Sequence, residues 1–134
     1  MFDKIDQDLK LKLMYLVIIV IEIPLGLIML IAPDFFISLL GFPTPQDPII
    51  YGVAASIWLA FGVISLLALR NPIKFVPVLL FQFTYKCIWF IGVILPLALA
   101  GTIEMYGILM IIVFAGIMVG DVLVIPWKTV FETE

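Results

Sequence analysis

The chain has 134 residues, 65% of them hydrophobic and only 13% charged, with a formal net charge of −3, no histidine and one cysteine. So few charged groups cannot coat a water-facing surface, and this apolar content lies well beyond the range of globular domains. The composition excludes histidine-ligated metals and bis-histidine haem. With Cys87 alone it also excludes an intramolecular disulfide or a cysteine metal motif, and no basic run suggests nucleic acid.

The apolar residues fall in four blocks, at about 11–32, 49–69, 75–98 and 103–126. A helix rising ~1.5 Å per residue needs about 20 residues to cross the ~30 Å hydrocarbon layer, and each block is long enough. Hydrocarbon offers no partners to backbone N–H and C=O groups, so such segments must be helical. They lack the alternation of membrane barrel strands. The expected fold is all-α, one four-helix transmembrane domain over 1–134 that spans the cell membrane several times (the inner membrane in a bacterium), with the lipid bilayer as its first partner. Lysines precede the first block as in a leader peptide, but the run is long, carries Glu22 and ends in "APDFF" rather than a small-x-small site; it reads as a retained span.

Between the first two blocks, "PDFFISLLGFPTPQDP" (33–48) is the one sizeable loop. Asp34 is expected to cap a short helix carrying Phe35, Phe36, Leu39 and Leu40 and ended by Gly41, with Pro43, Pro45 and Pro48 stiffening the return. An interfacial anchor is preferred here to a lid over a binding site. The second block carries Trp58 near its centre and a small-residue stripe, Gly52, Ser56 and Ala60. The fourth carries Gly116 and Gly120 directly before Asp121. Both stripes would let helix backbones approach closely, within the chain by preference and otherwise across a homo-oligomer.

Apart from Lys86 the basic residues, Lys4, Lys10, Lys12, Arg70, Lys74 and Lys128, flank the N-terminus, the second link or the C-terminus. The links at 33–48 and 99–102 hold none. The positive-inside rule then puts both termini in the cytoplasm. Aromatic residues fit those edges, with Tyr15 and Trp127 at the inner interface and Phe35, Phe36, Tyr51 and Tyr106 at the outer one.

In this orientation Glu22 and Lys86 lie at the midpoints of spans that rise in the same direction. An isolated charge at a helix centre costs about 2.5–3.5 kcal/mol on the insertion scale, so the two are expected to turn inward and meet. Gln82 and Trp89 share the face of Lys86, Asp121 lies near the level of Gln82, and the indole of Trp58 needs an acceptor. Pro24 frees the Val20 carbonyl, expected near Glu22. The predicted site is therefore a buried cluster of Glu22, Gln82, Lys86 and Asp121 lined by Trp58, Tyr85 and Trp89. Two carboxylates against one ammonium leave a surplus negative charge, so one acid is expected to carry a proton or reach water, Asp121 being better placed for water. Structural pinning of helix register is the competing role for such a pair.

The runs "GLIMLIAPDFFISLLGF", "GVAASIWLAFGVISLLAL", "YKCIWFIGVILP" and "GDVLVIPWK" resemble the DoxX-like group of small four-helix membrane proteins. That resemblance covers most of the chain and implies a four-helix bundle with a pocket for an amphipathic ligand. Some members are membrane subunits of oxidoreductases that deliver electrons to quinone. It transfers no catalytic residue. "YLVIIVIEIPLG", with Tyr85 and Trp89, is similar in outline to small multidrug resistance transporters, but Lys86 and the long loop depart from that design.

The expected function is a binding or accessory subunit whose cluster holds a quinone- or lipid-like molecule or docks a helix of a membrane or redox partner. A membrane enzyme using a carboxylate as acid or base on a lipophilic substrate, and a proton-coupled transporter, are the alternatives. No cofactor is fixed by the residues alone.

Overall fold

The structure is a computed structural model that describes residues 2–133. Among these residues the chain is helical throughout, with no strand. The helices are α1 (Phe2–Ile31), α2 (Pro33–Leu40), α3 (Pro48–Ala68), α4 (Val76–Trp89), α5 (Leu95–Ala100), α6 (Met105–Val124) and α7 (Trp127–Phe131). Four helical stretches are long and apolar enough to cross a membrane: Asp3–Ile31, Pro48–Ala68, Ile73–Ala100 and Met105–Val124.

Local chemistry explains the element ends. Helix α1 starts nine residues before the first apolar block, because its polar first turns remain helical and are braced by an Asp6–Lys10 ion pair of 3.1 Å at i,i+4. Asp34 does not cap α2. Ala32 holds the capping position without a side-chain bond, and Asp34 sits inside the first turn, where the helix dipole still favours a negative charge. Gly41 ends α2 in the left-handed conformation at φ +72°, a backbone that a side chain would strain. Asp47 caps α3, its Oδ1 accepting from the N–H groups of Ile49 and Ile50 at 2.8 and 3.0 Å. In the third of these stretches, Phe90–Ile94 forms a π-helical turn in which the Leu95 N–H reaches back to Phe90. Pro96 has no N–H for the Gly92 carbonyl and its ring crowds that carbonyl, which accounts for the widened turn just before it.

Helix α1 buries Leu11, Met14, Tyr15, Ile18, Glu22, Gly26 and Met29, one helical face whose members recur three or four residues apart, with Met14 and Tyr15 side by side. That seam lies along α3, and α6 touches α1 and α4. The closest approach is made by two glycines. A Cβ on Gly26 would sit 2.7 Å from Leu59 Cβ and 2.9 Å from its backbone N, and one on Gly62 would collide with Ile23 Cγ1. By contrast, α3 and α4 touch through rings, Phe61 packing on Phe81 and Tyr85 at centroid distances of 5.8 and 5.7 Å.

Two sequence expectations are corrected here. Neither small-residue stripe supplies the tight contact within the chain: Gly52 and Gly116 face open space, Ser56 and Ala60 are exposed, and Gly120 meets only the flexible Met14 side chain. Small residues announce that a close approach is possible, but helix rotation decides which of them is used. Tyr15 and Phe36 turn into the protein rather than outward. Tyr15 is fully buried and donates to the Pro72 carbonyl at 2.8 Å, fastening α1 to the α3–α4 link, while Phe36 packs with Met29 and Ala55.

Candidate functional site

Among the described residues five polar or charged side chains are buried: Glu22 on α1, Ser65 on α3, Gln82 and Lys86 on α4, and Asp121 on α6. Gln82 and Lys86 are four apart and share one face of α4. The Gln82 amide donates to both oxygens of Asp121, at 3.2 and 3.1 Å, joining α4 to α6. The register that sets Leu59 against Gly26 and Ile23 against Gly62 places Ser65 within one turn of the level of Glu22. Three acceptors in this layer, Glu22 Oε2, Ser65 Oγ and Gln82 Oε1, have no hydrogen-bond partner among the described residues.

Lys86 is fully buried. Its ammonium donates to Tyr85 Oη at 2.9 Å and lies 4.4 and 4.8 Å from the ring centroids of Tyr85 and Phe114. Such placement over aromatic faces is attractive in a dry interior. Glu22 and Asp121 are both within Coulombic range of Lys86, but among the described residues neither carboxylate approaches it within the 4.0 Å of a direct ion pair. The direct Glu22–Lys86 meeting expected from equal depth is thus corrected. Depth fixes the layer of a side chain and leaves its direction open, and the neighbouring phenol supplies a nearer acceptor. Pro24 and Val20 lie on the exposed side of α1, roughly opposite Glu22, so the freed carbonyl faces away from the cluster.

Tyr85 Oη is also where Trp58 finds its acceptor, with Nε1 donating at 3.2 Å. An ammonium and an indole N–H can only donate, so they occupy both lone pairs of the phenol. Among the described residues no acceptor takes the phenolic proton in return. Tyr85 is thereby set as a hydrogen-bond donor.

Tyr85 also lines a cavity of about 530 Å³ bounded mainly by α3, α4, α6 and the 41–47 loop. Its walls near Tyr85 are Trp58, Trp89, Phe81 and Phe114, and toward the loop they are Tyr51, Phe42 and Tyr106. Edge-to-face contacts stiffen it, with Phe114 meeting Trp58, Tyr85 and Trp89 at centroid distances of 5.9, 6.3 and 5.0 Å. The predicted site set divides in two. Trp58, Tyr85 and Trp89 line the cavity, whereas Glu22, Gln82, Lys86 and Asp121 do not. Tyr85 links the halves. Sequence reasoning missed Ser65, Phe114 and the cavity role of Tyr51 and Tyr106. A serine inside an apolar block was a usable signal, while Phe114 in "IIVFAGIM" carried none. Among the described residues no group of three or more acidic or cysteine side chains is arranged to hold a metal.

Comparison with protein-family models, curated proteins and solved structures finds no match to this chain. The reading of the site rests on its own geometry.

Proposed function

We propose that the chain is a multi-pass membrane protein, of DoxX-like type, that acts as a binding or accessory subunit for a lipid-soluble molecule with a hydrogen-bond-accepting head, quinone-like or lipid-like. The observation that carries this is Tyr85: two donors occupy its oxygen, which leaves its own proton to be given, and its side chain lines an aromatic cavity large enough for a ring-sized head. Lys86 acts through Tyr85 as a positioning residue, with Glu22 and Asp121 balancing its charge from behind. The distribution of Lys and Arg supports an orientation with both termini in the cytoplasm and the 41–47 rim of the cavity outside. An acid–base enzyme or a proton-coupled transporter calls for a carboxylate against its cargo, and neither Glu22 nor Asp121 lines the cavity.

Native mass spectrometry of the protein released from membranes in nanodiscs tests the reading. Wild type should retain a small molecule bearing a carbonyl or similar acceptor, and Tyr85→Phe, folded by circular dichroism, should lose it. A hydrogen bond of about 0.5–1.5 kcal/mol corresponds to a weakening of up to about tenfold. Identical co-purifying lipids on both proteins would overturn it.

A further inference from the structure

A second cavity of about 350 Å³ lies in the α3–α4 seam, walled by Ala60, Phe61, Ile64, Pro77 and Val78. Every one of these side chains is apolar. It shares Ile57 and Phe81 with the aromatic cavity, so the two adjoin at the Phe81 ring. Phe81 is 61% exposed and packs at its edge on Phe61 and Tyr85, at 5.8 and 6.1 Å, with no helix covering it from outside. Because α3 and α4 meet through rings, the seam between them is a side-chain gap. From Ile57 to Ile64 it runs seven residues, about 10 Å, toward the chain termini.

Resting on the reading above, we infer that the ligand is a tailed amphiphile: its accepting head lies against Tyr85 and its single apolar chain leaves through the α3–α4 seam, with Phe81 as the side gate through which it enters from the hydrocarbon. The occupant follows from the geometry. The polar-tipped chamber and the apolar groove meet at one pair of side chains, the order of parts in a polar-headed molecule with one chain. Ala60 makes the room, since a larger residue there would fill the groove.

The test uses the full chain in nanodiscs and a benzoquinone bearing a decyl chain that ends in a photoactivatable diazirine. On illumination, peptide mapping should find the label at 60–64 and 77–81. Ala60→Phe should cut that labelling by about tenfold, the size of an overpacking penalty, while a tail-less benzoquinone still quenches Trp58 and Trp89 as before. Phe81→Ala, which adds no bulk, should instead speed labelling, and it keeps the test decisive if Ala60→Phe fails to fold. Label on the 41–47 loop, or spread evenly over the outer surface as an ordinary lipid chain would leave it, overturns the seam while the Tyr85 reading stands if Tyr85→Phe still weakens the tail-less probe. No saturable response to either probe overturns both.

Discussion

The two sides of α3 are built on opposite principles. Toward α1 the backbones press together at Gly26 and Gly62, leaving no space for even a Cβ. Toward α4 the helices are held apart by Phe61, Phe81, Tyr85 and Trp58, and two cavities remain between them. In lipid there is no hydrophobic drive to close a gap between helices, so packing is what fixes a seam. The glycine seam has that packing and sets the architecture. The aromatic seam keeps its space, and space is what binding requires.

Mutations should therefore separate by seam, and the charged layer behind Tyr85 should show the largest effect. Lys86→Met leaves Glu22 and Asp121 buried without their cation and should destabilise the fold by about 3 kcal/mol, read as unfolding in a denaturing-detergent titration. Lys86→Met/Glu22→Gln should recover most of that loss. Failure to recover would mean that Lys86 is held by its aromatic contacts and not by the acid.

Next in size is the glycine seam. Gly26→Ala should cost roughly 1–3 kcal/mol in the same titration, because Leu59 backbone lies in the way. The same change at Gly52 or Gly116, which face open space, should leave stability within about 0.5 kcal/mol of wild type. Equal losses at all three positions would erase the contrast between the seams. The aromatic side should lose less than the glycine seam: Trp58→Phe removes one donor from Tyr85 and should cost about 1 kcal/mol or less. Its signature is weaker binding of a benzoquinone probe, because the phenol regains a free lone pair and its proton is no longer committed to the cavity.

The sequence made the four long apolar helices legible because apolar length is a one-dimensional property. It also placed Gln82, Lys86, Asp121 and Glu22 in one interior, since each would be costly facing hydrocarbon. What it could not convey was direction around each helix axis. Equal depth suggested a Glu22–Lys86 pair, yet Lys86 turns to Tyr85; the small-residue stripes suggested the contacts, yet Gly26 and Gly62 make them. The cavity was the least visible feature, because it is the gap left by bulky rings from three helices and one loop, and Phe114 looks in sequence like any other apolar residue.

The central claim is that Tyr85 presents its proton to a ligand. The most direct test measures quenching of Trp58 and Trp89 by a tail-less benzoquinone in nanodiscs, in a Trp127→Phe background that silences the remaining tryptophan. The account predicts saturable quenching that weakens by up to about tenfold in Tyr85→Phe with the fold intact. Linear, unsaturated quenching that is the same with and without the phenol would contradict it.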